Sequence, residues 1–90
     1  LSPRFLKNRD TKGYRFGVVS FDCSERPHVH IFKGRNSAKF WIDRNGEAEV
    51  EFFSNEGFSL KQLRQIERMV KENLEQLRQE WDEFCSEYSG

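Results

Sequence analysis

The sequence predicts an α+β domain: a four-stranded antiparallel meander sheet packed by one long C-terminal helix. Three observations predict it. Residues 14–53 fall into stretches that alternate apolar and polar side chains, as half-buried strands do. The linkers between these stretches are short and rich in turn-forming residues, which favours antiparallel neighbours over crossovers. From Leu60 onward apolar residues recur every three or four positions, with no Gly or Pro until Gly90.

In chain order, residues 1–13 read as a basic N-terminal arm, with Pro3, Arg4, Lys7, Arg9 and Lys12 beside the apolar Phe5 and Leu6. Residues 14–90 form the single α+β domain. Its first strand is Tyr14–Phe21, rich in aromatic and β-branched residues. Cys23–Pro27 is a connection, in which Pro27 biases Arg26 towards extended geometry. His28–Lys33 is the second strand, and Gly34-Arg35-Asn36 a loop of hairpin length. In Ser37–Asp43, Ala38, Phe40 and Ile42 share one face, while Lys39, Trp41 and Asp43 share the other. Asn45-Gly46 is a strong two-residue hairpin signal, since both residues tolerate positive φ. Glu47–Phe53 follows, with Ala48, Val50 and Phe52 opposite Glu47, Glu49 and Glu51. The sheet therefore has one dry face and one wet face.

Ser59-Leu60-Lys61-Gln62 reads as a capping box, with Phe58 and Leu63 placed as a hydrophobic staple. The stripe then runs through Ile66, Val70, Leu74, Leu77, Trp81, Phe84 and Tyr88. A helix of about 29 residues is ~43 Å long, whereas a seven-residue strand is only ~23 Å. The distal stripe outruns the sheet and needs other cover. The arm could supply it, placing Phe5 and Leu6 on Trp81 and Phe84 and its cations near Asp82, Glu83 and Glu87, at the negative end of the helix dipole. The favoured reading is instead a protein partner or homodimer docking on Leu77, Trp81, Phe84 and Tyr88. A break near Asn73 that folded the helix back would remove the need for either.

Ninety residues make one small domain. With 36% hydrophobic and 33% charged residues, its core depends heavily on 9 Phe, 2 Trp and 2 Tyr. No apolar run is long enough for a membrane span, and the opening residues lack the order of a signal peptide. Cys23 and Cys85 are too few and too far apart to read as a disulfide framework. A reducing, cytoplasmic location is the expectation. The net charge of zero hides a basic first half, ten Lys/Arg against four Asp/Glu over residues 1–45, and an acidic second half. The two halves can neutralise one another, so a nucleic-acid partner is possible without being demanded by charge.

His28 and His30 point to the same side of a strand, about 6.6 Å apart at Cα. A metal would need a third ligand from Asp22, Cys23 or a glutamate, and no dense ligand motif surrounds the pair, so neither metal nor cofactor is expected. The pair could serve as acid and base in RNA cleavage, with Lys39 or Arg15 stabilising phosphorane-like charge and Glu49 as a substitute base. Packing roles for both rings are the plainer alternative. Trp41, flanked by Lys39 and Arg15, suits base stacking or partner docking. Glu47, Glu49 and Glu51 count against a nucleic-acid face there and could instead pair with Lys39 and an arginine. Lys61, Arg64, Arg68 and Lys71 form a basic helical stripe, which would serve a DNA-binding regulator or be solvated beside Glu67 and Glu72.

Pro27-His28-Val29-His30-Ile31, Ala38-Lys39-Phe40-Trp41-Ile42, Gly57-Phe58-Ser59 leading into Leu63-Arg64-Gln65-Ile66, and Glu80-Trp81-Asp82-Glu83-Phe84 occur in one order. With Gly13-Tyr14-Arg15-Phe16 ahead of them, they resemble a small prokaryotic family known as domain of unknown function four-one-six-zero, over about residues 13–85. The resemblance implies a short single domain, often encoded beside another small protein, as in toxin–antitoxin or related regulatory modules. It implies no catalytic residues. The basic arm of this chain is longer than the family's usual opening strand. The resulting expectation is a small regulatory binding protein acting by protein–protein contact. The alternatives are a small metal-independent ribonuclease toxin using His28 and His30, or a DNA-binding regulator.

Overall fold

Gly34, at φ 62°, turns the chain between two strands that pair residue for residue from His28↔Trp41 to Lys33↔Asn36. This hairpin is the centre of the sheet in a computed structural model that describes residues 4–5, 12–18, 23–44 and 48–88. The strands are β1 (Arg4–Phe5), β2 (Arg15–Val18), β3 (His28–Lys33), β4 (Asn36–Trp41) and β5 (Glu51–Glu56). They lie in the order β1-β2-β3-β4-β5, every neighbour antiparallel. Helices α1 (Leu60–Glu72) and α2 (Leu74–Tyr88) complete an α+β domain.

The meander is as the alternation predicts, with two-residue β1 added outside β2. The remaining residues of the basic arm before Lys12, and the packing expected of Phe5 and Leu6, lie outside the described residues. On the dry face Phe16, Val29, Ile31, Ala38 and Phe40 are buried beneath Ile66, Met69, Val70, Leu74 and Leu77. The capping box forms: Ser59 Oγ accepts from the Gln62 amide at 3.1 Å, and Gln62 Oε1 accepts from the Ser59 amide at 2.9 Å.

The single long helix is corrected to two. Asn73 ends α1 by donating from its side-chain amide to the Met69 carbonyl at 2.8 Å, a bond its own backbone N–H also makes at 3.1 Å. A side chain that competes for backbone carbonyls in this way favours a helix end over a helix interior. The Leu77 N–H then bonds the Asn73 carbonyl at 2.9 Å, so α2 starts on the same residue.

The expected partner surface is corrected with it. Leu77, Trp81 and Phe84 are all buried within this chain. Leu77 joins the main core, whereas Trp81 and Phe84 form a second cluster with Cys23 and Cys85. Tyr88 ends α2, and its side chain lies outside the described residues.

The cysteines are also corrected. Cys23 and Cys85 form a disulfide across a sequence separation of 62, with Cα atoms 5.5 Å apart. Linear distance hid this pairing, because α2 returns to the segment that leads into β3. The argument for a reducing compartment from free thiols falls away. Among the described residues, no helix is long and apolar enough to cross a membrane.

The last strand is shifted relative to Glu47–Phe53. Trp41 pairs with Glu51, so the connection spans residues 42–50 where a two-residue turn was expected; Asn45, Gly46 and Glu47 lie outside the described residues. Phe40 pairs with Phe52 and Lys39 with Ser54, which leaves Phe53 as a bulge. All six residues of β5 are exposed. Ala48 is exposed too, and of the three residues expected on its dry face only Val50 is buried.

Candidate functional site

Antiparallel register decides which side chains meet on the face away from the main core. His28 lies opposite Trp41, His30 opposite Lys39, and Arg15 opposite Phe32. Cross-strand partners share a face, so the sheet does gather His28, His30, Lys39 and Trp41. Arg15 is exposed on the neighbouring strand.

Proximity has not left these groups open. His28 is completely buried. Its ring lies 4.9 Å from that of His30, 5.6 Å from Trp41 and 5.0 Å from Trp81. Nδ1 is 2.8 Å from the Arg26 carbonyl. A carbonyl only accepts, so Nδ1 carries a proton. The imidazole thus works as a packed ring between β4 and α2. With no exposed surface, it meets a substrate only if one of these neighbours moves.

Lys39 Nζ donates to Glu25 at 3.0 Å and lies 4.7 Å from the Trp41 ring and 4.8 Å from Phe53. Arg26 stands 4.8 Å from the same indole and bonds Asp43 at 2.6 Å and Glu51 at 2.9 Å. Trp41 therefore already holds two cations, with Phe53 at 4.9 Å as an edge-on neighbour. Glu51 first, and then Asp43, raise the Arg26 guanidinium above its ordinary value. A raised pKa adds stability below the unfolded value and loses it only as pH climbs through the folded one. Arginine stays charged across the working range, so this network adds no pH dependence there.

Of the pairing weighed for Glu47, Glu49 and Glu51 with Lys39 and an arginine, Glu51 meets Arg26, which comes from the loop before β3. Lys39 chooses Glu25 instead. Glu49 is exposed, and its carbonyl accepts from Arg78 at 3.4 Å. On α1, Lys71 pairs with Glu67 at 3.2 Å, and Lys61, Arg64 and Arg68 are exposed. Among the described residues, no three His, Cys, Asp or Glu side chains are grouped to hold a metal.

A second feature lies at the sheet edge, where the sequence reading placed no site. Phe52 is 49% exposed, Phe53 53% and Leu60 63%. Phe52, Leu60 and Leu63 line a cavity of about 220 Å³ with Phe40, and Arg64 and Glu67 stand at its rim. Its sequence signal is the adjacent pair Phe52-Phe53, which cannot both face a dry core in a regular strand.

These features define the class: a small α+β domain with an antiparallel meander and two helices. A family profile described as Domain of unknown function (DUF4160) matches residues 13–82. The chain belongs to that family. No curated protein and no solved structure matches it.

Proposed function

We propose that the protein is a small regulatory binding component that acts by contact with another protein, in a toxin–antitoxin-like or related prokaryotic operon. The observation that carries the contact reading is the exposure of Phe52 and Leu60 at one apolar cavity along the sheet edge. Scattered exposed apolar residues are ordinary, but Phe52 and Leu60 share one apolar cavity and so form a patch, while Phe53 lies against Trp41 on the other face. The surface proposed is β5 and the start of α1, because Leu77, Trp81 and Phe84 of the distal stripe are buried. The operon context comes from the family resemblance and from nothing in the geometry.

The reading is tested by co-expressing the chain with the product of the adjacent gene and purifying on a tag carried by either. A stoichiometric complex that survives gel filtration supports it. Separate elution of two folded proteins at high micromolar concentration sinks it. The ribonuclease alternative draws no support from a buried His28 and an acid-bound Lys39. The DNA-binding alternative rests on the exposed cations of α1, which stand beside Glu67 and Glu72.

A further inference from the structure

We infer that β5 is a strand-addition site: it receives an extended segment of a partner polypeptide with aliphatic side chains at alternate positions and a Lys or Arg near the end that meets Glu56. This rests on the contact reading above and adds to it the mode of binding and the chemistry of the partner.

The edge is the first ground. β5 ends the sheet order, so half of its N–H and C=O groups point away from β4, and among the described residues no strand meets them. The arm cannot be assigned there, because Arg4–Phe5 already pairs with β2 at the opposite edge. β5 reads Glu-Phe-Phe-Ser-Asn-Glu, with no Lys or Pro; its protection against flat pairing is the Phe53 bulge and a glutamate at each end.

The groove is the second ground. A strand added beside β5 would run along the cavity between Phe52 and the Leu60–Leu63 turn of α1. Alternate side chains of that strand point to one face, so every second residue would be offered to the groove. Main-chain bonds then supply affinity and the groove supplies selection.

Charge selects the occupant. Glu51 and Glu56 stand at the two ends of the strand. Glu51 already bonds Arg26, and at the groove rim Glu67 pairs with Lys71 beside Arg64, which leaves Glu56, at the end of β5 nearest α1, to choose among partners. A second copy paired along all six residues would set Glu51 opposite Glu56 at both ends, and like charges directly opposite repel. The bulge at Phe53 also bends the edge away from flat sheet-to-sheet pairing. A single flexible segment follows that bend, and a cation near one of its ends meets Glu56.

The test uses the full chain, a phage-displayed library of random dodecapeptides, and synthetic copies of the recovered sequences. Expected peptides carry alternating aliphatic residues with a Lys or Arg towards one end. Phe52→Lys and Leu60→Lys should each weaken them at least about tenfold, and the exposure of both residues lets the variants fold, as far-UV circular dichroism would verify. N-methylating alternate amides of a bound peptide should abolish binding for one set of positions and spare the other. Peptides that bind both variants as well as wild type would overturn strand addition while leaving protein contact standing. Binding indifferent to either methylation set would overturn it likewise, as would a dimer of the chain that Phe52→Lys dissolves. If no peptide is recovered, strand addition falls, and the complex with the adjacent gene's product decides the contact reading alone.

Discussion

The ring of His28 lies 5.0 Å from that of Trp81, tilted by 57°, and this contact joins the first residue of β3 to the middle of α2. One turn further along α2, Cys85 bonds Cys23, so a ring contact and a covalent bond hold the helix to the same end of the sheet. His28 also touches Trp41 and His30, which makes a histidine the hub of an aromatic cluster. The distal half of α2 is part of the body of this domain.

Trp81→Ala should therefore cost about 3–5 kcal/mol, as large-to-small changes at buried aromatic sites do. Trp81 is only 6% exposed. Urea unfolding under non-reducing conditions would measure the loss, with Trp41 as the remaining fluorophore. A cost below about 1 kcal/mol would be the signature of a surface residue. It would return the distal stripe to consideration as an interface.

Reduction should destabilise the chain by about 2–4 kcal/mol, because the bond closes a long loop and removes conformational freedom from the unfolded state. Cys85→Ser should reproduce the shift, and dithiothreitol should then have no further effect on it. Alkylation followed by mass measurement supplies the direct check. The unreduced protein should take up no label, and the reduced, unfolded protein should take up two. Two labels on the unreduced chain would remove the bond and the predicted shift with it.

The sheet was legible where side-chain period and turn chemistry agree. Val29, Ile31, Ala38 and Phe40 are core residues that alternation alone selects. The cap at Ser59 was equally legible, since both halves of the box lie within four residues. What escaped depends on residues distant in sequence. The sequence raised a break near Asn73 without deciding it; the side chain's bond to Met69 ends α1, and the cover over Trp81 and Phe84 comes from Cys23, far away in the chain. Cys23 and Cys85 meet only because that break and the turn into β3 place them together. The site suffered in a similar way. Register correctly gathers His28, His30, Lys39 and Trp41, but period says nothing about Glu25 and Arg26, loop residues that occupy Lys39 and Trp41.

Gly57→Ala should cost about 1–2 kcal/mol from backbone conformation alone, because Gly57 sits at φ 97°. A methyl group there would also run into the Asn36 side chain, which must move. The turn has little slack: Asn55 both donates to the Phe58 carbonyl and accepts from its amide, each at 3.0 Å. A double-mutant cycle with Asn36→Ala separates the two contributions. Asn36→Ala should relieve the collision and leave the conformational cost. Full rescue by Asn36→Ala would show that the left-handed backbone is not what the glycine is needed for.

Incubated with RNA, wild type and His30→Ala should leave the substrate equally intact. Acid–base cleavage needs two groups presented to one phosphodiester, and a third to meet the charge that develops. Here His28 is completely buried and its Nδ1–H is committed to the Arg26 carbonyl, while Lys39 is tied to Glu25. His30 lies against both His28 and Phe32, at 4.9 and 6.0 Å between ring centres. Exposing the imidazoles together would require Trp41 or Trp81 to leave the cluster, and the same movement would break the packing that Trp81→Ala is expected to reveal. Cleavage by wild type that disappears in a folded His30→Ala variant would mean that the cluster opens in solution, and would make the outer face an active site.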